Sequence, residues 1–286
     1  MRTLLIGANG QLATDILSVL PSGDTVPLTH QQLDVCDYGA VRKAVETHRP
    51  DVVINTSAFH KVDVCEDETV RPFEVNALAV RNLAVLARET GFTLVHFSTD
   101  YVFSGAKGRA YNEDDAPGPL SVYGVSKLAG EYFVRTLCSR YYLIRTSGLY
   151  GVAGASGKGG NFVETMLRLA RQGGPIRVVN DQTSSPTYTH DLAGKVAELI
   201  ETGKYGLYHV TNSGPTSWYN FARTIFRLAD LDVDIQPVTS EQFGARARRP
   251  AWSVMANRNL KRAGLSPLRP WRQALAGYLR VRHPEL

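Results

Sequence analysis

The sequence predicts an α/β protein with a doubly wound parallel sheet, and three observations predict it. Through the first 180 of its 286 residues, short β-branched runs alternate with longer helical stretches. The runs are apolar almost throughout, as strands covered on both faces must be. The first run ends in a glycine, Gly7, and a helical pattern follows at once.

Taken in order, strands are expected at residues 3–6, 25–28, 51–55, 93–98 and 142–145. Helices are expected at 11–20, 38–48, 72–89, 122–137 and 162–172. Beyond residue 180 the pattern thins to strands at 207–210 and 235–238 and helices at 217–229 and 271–278, punctuated by Pro186, Pro215, Pro250, Pro267 and Pro270. This later part reads as a smaller lobe packed on the first. A stretch at 148–160 holds six glycines and is expected to be a mobile loop able to cover a ligand. Within it Gly157-Lys158 lacks the flanking residues of a P-loop.

Composition narrows the class. With 43% apolar and 21% charged residues the chain can bury a core, which excludes wholesale disorder. No run approaches the ~18 uncharged apolar residues that span a bilayer, and the amino-terminal run is too short for a signal core. A cytoplasmic chain with no membrane partner is expected. Cys36, Cys65 and Cys138 are odd in number and widely spaced, which suits buried thiols better than disulfides or zinc ligands. The seven histidines show no metal-ligand spacing, so no metal is expected. Net charge is +5, but from residue 240 onward ten Arg and Lys face two acids. That basic segment lacks any nucleic-acid-binding pattern. A few convergent cations suit a small anion such as a nucleotide diphosphate.

Two motifs carry chemistry. Gly7-Ala8-Asn9-Gly10-Gln11-Leu12-Ala13 joins the first strand to the first helix. Gly7 permits the sharp turn, and Gly10 lets backbone N–H groups approach a pyrophosphate at the positive helix end, the Rossmann-like arrangement. Near the end of the second strand, where the adenosine ribose is normally read, stands Leu28-Thr29-His30, with neither acid nor arginine. NADPH and NADH therefore both stay open, while Asp34 suits the adenine amine. The second motif is Tyr123-Gly124-Val125-Ser126-Lys127. At helical spacing the phenol and the ammonium share a face, and the cation is expected to lower the phenol's pKa. Thr99, at the carboxyl end of the fourth strand, places a hydroxyl where a carbonyl oxygen could be held. Residues 1–150 thus read as a dinucleotide-binding unit and 151–286 mainly as a substrate-binding lobe, with 161–200 partly returning to the first.

Together with Asn55-Thr56-Ser57-Ala58 after the third strand, these features resemble the extended short-chain dehydrogenase/reductase superfamily. More narrowly, the segments at 7–12, Val62-Asp63 with Glu66, 98–103, 120–124, Arg145-Thr146-Ser147, Asn161-Phe162, 180–182, 249–254 and Leu260-Lys261 resemble the dTDP-4-dehydrorhamnose reductase family, in order over nearly the whole chain. The resemblance implies reduction of the C4 keto group of a nucleotide-diphosphate deoxysugar, dTDP-4-dehydro-L-rhamnose, by NADPH or NADH. It implies a catalytic Thr99, Tyr123 and Lys127. It also implies cofactor contacts from Gly7, Asn9, Gly10, Gln11, Leu12, Asp34, Val35, Ser57, Ala58, Phe59 and Asn76, besides Tyr123 and Lys127. Substrate contacts are expected from His60, Val62, Thr99, Asp100, Asn161, Phe162 and Arg249, in a monomer or homodimer.

The chain also departs from that pattern. Gly148 stands where the family often has Trp, and Phe59-His60-Lys61 differs from the usual Tyr or His followed by Thr. Asp15 and His190 fall where some members place metal-binding glutamates, so no metal is carried over; Asp191 is expected at a helix start. His96 is expected as a core histidine, and Trp218, Trp252 and Trp271 as packing residues. Alternatives are an epimerase or another keto-sugar reductase on the same scaffold, and a non-catalytic regulatory subunit. Tyr101 after Asp100 argues against a dehydratase.

Overall fold

The computed structural model describes residues 1–154 and 160–285. Residues 155–159, with Gly157-Lys158 and the centre of the expected glycine-rich loop, lie outside the described residues, as does Leu286.

The chain begins β1 (Thr3–Ile6), α1 (Gln11–Val19), β2 (Thr25–Leu28), α2 (Tyr38–His48) and β3 (Val52–Asn55). There follow α3 (Val70–Phe73), α4 (Ala79–Thr90), β4 (Thr93–Thr99), α5 (Val122–Leu137) and β5 (Tyr141–Thr146). The second half runs β6 (Leu149–Tyr150), α6 (Phe162–Gln172), β7 (Ile176–Val179), β8 (Thr183–Ser184), β9 (Thr187–Tyr188) and α7 (Thr189–Glu201). It ends β10 (Gly206–His209), β11 (Thr216–Ser217), α8 (Trp218–Leu228), β12 (Ile235–Val238), α9 (Ser240–Phe243), α10 (Arg258–Arg262) and α11 (Trp271–Arg282).

Six parallel strands form the main sheet in the order β10-β5-β4-β3-β1-β2. The order reverses beside β1, which is where a doubly wound sheet opens its ligand crevice. Side-chain alternation explains why these strands are apolar on both faces. Leu4 and Ile6 point into a core with α2, α4 and the end of α5, while Leu5 points into another with α1, α7 and α10. A third, aromatic core joins α6, α8 and α11 around Tyr150, Phe221, Trp271 and Tyr278.

The structure corrects the sequence reading in three places. The strand expected at 207–210 is β10, an edge of the main sheet rather than part of the small lobe. The return to the first unit runs through α7 and β10, whereas α6 stays in the aromatic core. The helix expected from residue 72 opens instead with α3 and a π turn, Glu74–Leu78, before α4. That wider turn carries Asn76.

Helix α5 lies very close to its neighbours. A methyl on Gly130 would overlap the Asn76 carbonyl oxygen, and one on Gly124 the Tyr101 carbonyl oxygen. Backbone meets backbone at Gly130, so Gly130→Ala is expected to cost about 1–3 kcal/mol, read as a lower urea midpoint with unchanged m-value.

Candidate active site

A cleft of about 1060 Å³ runs along the carboxyl ends of the main strands. At one end is the turn after β1. Gly7 has φ +81°, and a Cβ there would stand 2.8 Å from Thr56 Oγ1, so only glycine fits. The turn is held by the Gly7 and Ala8 N–H groups donating to Leu28 O at 2.9 and 3.0 Å. Gly10 begins α1 without a side-chain cap, leaving first-turn N–H groups for an anion. Gln11 donates from Nε2 to Leu149 O at 3.2 Å, tying the turn to β6.

The next wall is the segment after β3. Asn55 Oδ1 accepts the Ser57 N–H at 3.0 Å. Asn76 accepts the Phe59 N–H at 2.9 Å and donates to Phe59 O and Ser126 Oγ, both at 3.0 Å. Fully buried, it is absent from the cleft lining. Through both bonds to the Phe59 backbone it positions that part of the wall. Asp34 accepts the Cys36 N–H at 2.9 Å, and that bond holds its carboxyl below the usual range. His30 and Arg71 line the cleft beside it, with Arg71 3.7 Å from Asp34 and 3.1 Å from Glu74.

At the other end stand the strand-end hydroxyls. Thr99, the last residue of β4, accepts the Tyr101 N–H and donates to Asp100 Oδ1, both at 3.2 Å. Asp100 Oδ2 accepts the hydroxyls of Ser147 at 2.8 Å and Ser253 at 2.5 Å. Burial outweighs these three bonds and pushes the Asp100 carboxyl up to about 6. Tyr123 and Lys127 come from α5, whose start is capped by Ser121 accepting the Gly124 N–H at 3.2 Å. The Tyr101 ring meets Tyr123 edge-on at 5.9 Å and 85°.

The expected lowering of the phenol is reversed. Burial is the largest influence on Tyr123 and raises it above its ordinary value, with a Thr99 contact pulling the other way. The phenol thus keeps its proton. Burial also acts on Lys127, which is 2% exposed, and brings it down to about 8 against the pull of Glu131. Glu131 is held by Arg145 through two bonds, Nε to Oε1 at 2.9 Å and Nη2 to Oε2 at 2.6 Å. His96, fully buried, meets Asn55 Nδ2 at 3.3 Å, and burial together with Lys127 keeps it neutral.

Apart from Asn76, every residue expected to touch cofactor or substrate lines this cleft. Two more of them, like Asp34 and Asp100, are already engaged. Arg249 holds Asp63 at 2.7 and 3.2 Å, linking the segment after β12 to the loop after β3. Asn161 caps α6 by accepting the Glu164 N–H at 3.1 Å, and donates to Gly151 O at 2.9 Å. Other cations of the basic tail have acidic partners too: Arg246 pairs with Asp67, Arg258 and Arg262 with Asp114, and Arg269 with Asp191. Asp15 accepts from Thr189, and among the described residues no group of three or more His, Cys, Asp or Glu side chains is placed to hold a metal ion.

Arg71, Ser147, Ser253 and Trp218 line the cleft without having been assigned to it from the sequence. Ser147 and Ser253 lie inside segments that resemble the family, which is the signal they carried. Arg71 and Trp218 had none, because only the fold brings them to residues far away in the chain. Trp218 had been expected as packing.

A glycine turn at one end of a cleft, with a hydroxyl, a phenol and an ammonium at the other, defines the class: an oxidoreductase of the doubly wound dinucleotide-binding type. Residues 1–283 match the family described as RmlD substrate binding domain, and the chain belongs to that family. It is 40% identical over 283 residues to the spore coat polysaccharide biosynthesis protein SpsK of Bacillus subtilis, with 98% of each chain covered. To a dTDP-4-dehydrorhamnose reductase of Streptomyces griseus it is 41% identical over 283 residues, covering 96% of this chain and 91% of that one. The crystal structure of dTDP-4-dehydrorhamnose reductase from Bacillus anthracis in complex with NADP matches with TM-score 0.92 at 39% identity, covering 97% and 98% of the two chains.

Proposed function

We propose that this chain reduces the C4 keto group of dTDP-4-dehydro-L-rhamnose to dTDP-L-rhamnose with NADPH or NADH. The observation that carries the reading is the convergence of Thr99, Tyr123 and Lys127 on the cleft that the glycine turn closes at its other end. The reductases similar over nearly the whole chain, and the NADP-bound relative, support it. A reaction drawing on reduced nicotinamide and an activated sugar belongs in the cytoplasm.

The residues fit a dinucleotide. No side chain at Gly7 or Gly10 blocks the backbone, and Gln11 Oε1, Ser98 Oγ and Thr146 Oγ1 are buried without a partner among the described residues. Bound reduced nicotinamide supplies the hydride. The turn from Gly7 to Leu12 holds the pyrophosphate, Asp34 and Val35 the adenine, and Ser57, Ala58 and Phe59 the neighbouring wall. Arg71 brings a guanidinium beside Asp34, where it suits the 2′-phosphate of NADPH. Tyr123 gives its proton to the C4 oxygen, Thr99 turns its hydroxyl from Asp100 to donate to that oxygen, and Lys127 fixes a ribose hydroxyl. His60, Val62, Asp100 and Phe162 surround the sugar. Arg249 holds the diphosphate by exchanging Asp63 for phosphate oxygens.

The test is oxidation of NADPH and of NADH with dTDP-4-dehydrorhamnose generated in situ. Turnover with that sugar supports the reading; a protein active only on another 4-keto sugar, or on none, contradicts it. A pH dependence follows as well. Lys127 is charged below about 8 and neutral above it, so kcat/KM, which reports free-enzyme groups, falls as pH rises through about 8. In Lys127→Arg, whose guanidinium keeps its charge, that basic limb is expected to vanish.

A further inference from the structure

Trp218 is the first residue of α8, and its backbone is fixed by Ser217. The Ser217 hydroxyl accepts the Asn220 N–H at 3.1 Å and donates to Asn180 Oδ1 at 2.7 Å. The indole is partly exposed on the cleft wall. It is backed by Phe162 at 4.7 Å and 45°, and by Phe221 at 6.3 Å. One edge of the indole lies against Gly148. A Cβ built there would stand 3.3 Å from indole Cη2 and 3.2 Å from Pro186 Cα, and φ at Gly148 is +53°. The wall thus has no side chain at 148, and the indole occupies the room. Gly148 directly follows Ser147, whose hydroxyl donates to Asp100 at 2.8 Å; Asp100 in turn accepts from Thr99. The aromatic surface therefore ends next to the hydroxyl cluster that would hold the reacting carbonyl.

We propose that Trp218 is the platform on which the hexose ring of the substrate rests, and so a specificity-determining residue; this deepens the keto-sugar reading above and rests on it. A deoxyhexose presents a C–H face and a methyl group that hydroxyl-rich walls cannot bury. A flat indole covers such a face while leaving the ring oxygens to the Thr99, Asp100 and Ser147 side. The indole is rigid here because Phe162 and Phe221 support it and Ser217 fixes its backbone, so little ordering is lost on binding. Substitution at Gly148 would push against the platform, which gives that glycine a purpose beyond its backbone angle.

The experiment is calorimetric titration of the whole protein with dTDP and with dTDP-L-rhamnose, for wild type, Trp218→Leu and Trp218→Phe. Trp218→Leu is expected to weaken dTDP-L-rhamnose about tenfold, roughly 1.4 kcal/mol, and to leave dTDP unchanged; Trp218→Phe retains most of the affinity. Equal losses for both ligands make the indole a nucleotide contact, and no loss for either makes it packing; each overturns the platform. A wild type that binds neither ligand overturns the keto-sugar reading itself, and the platform with it. Indole fluorescence provides a readout free of truncation effects. Wild type is expected to respond more to dTDP-L-rhamnose than to dTDP, and that excess disappears in Trp218→Phe, where Trp252 and Trp271 remain.

Discussion

Tyr123→Phe is expected to lower kcat about 10³-fold while leaving the dissociation constant of NADPH within about twofold. The size follows from the 10²–10⁴-fold that positioned proton transfer contributes. The selectivity follows from where the residue sits. The ring of Tyr123 keeps its edge contact with Tyr101 whether or not the hydroxyl is present, so the wall of the cleft is unchanged and only the proton is lost. Burial raises the phenol above its ordinary value, so across neutral pH it is a loaded acid, which reduction of a carbonyl needs. Stopped-flow NADPH oxidation and fluorescence titration of NADPH measure the two quantities. A variant with rates near wild type would remove Tyr123 from the mechanism.

The second large effect concerns stability. Glu131 and Arg145 are 0% and 1% exposed and meet through two hydrogen bonds. Glu131→Ala strands a guanidinium that cannot shed its charge, leaving it the Phe103 ring at 5.0 Å and His209 Nε2 at 3.5 Å. Breaking such a pair from one side costs about 3–5 kcal/mol, whereas replacing both partners by apolar groups of similar volume is often neutral. Glu131→Ala should therefore fall by that amount in urea melts, and Glu131→Leu/Arg145→Met should recover most of it. The pair also reaches the chemistry. Glu131 lies one turn beyond Lys127 and raises it, so in the double variant the basic limb of kcat/KM moves to lower pH.

Much of this was legible in the sequence where local signals were strong. Helices α2, α5 and α6 have the expected bounds because Asp37, Ser121 and Asn161 cap them through their own side chains. Strands β1, β3 and β4 announce themselves as buried, largely apolar runs. Tyr123 and Lys127 were visible because helical spacing alone puts them on one face.

The remainder depends on contacts between distant segments. β10 reads as an isolated short strand until β5 is beside it. The π turn at 74–78 has no local signature, yet it carries the Asn76 amide that holds Phe59. Arg71 is 37 residues from Asp34 in the sequence and beside it in the fold. The sign of the shift on Tyr123 was missed for a related reason. Spacing identifies a neighbouring charge but says nothing about how deeply a group is buried, and here burial dominates. That Arg249 is paired was illegible for the same kind of reason, because Asp63 arrives from another loop.

The most direct measurement is the fate of the transferred hydrogen. With NADPH carrying deuterium at the reactive C4 position of its nicotinamide, a single turnover on dTDP-4-dehydrorhamnose should place that deuterium on C4 of the sugar, with one NADPH consumed per sugar reduced. A product without the label, or a sugar altered with no net oxidation of NADPH, would contradict a cleft built to reduce a carbonyl.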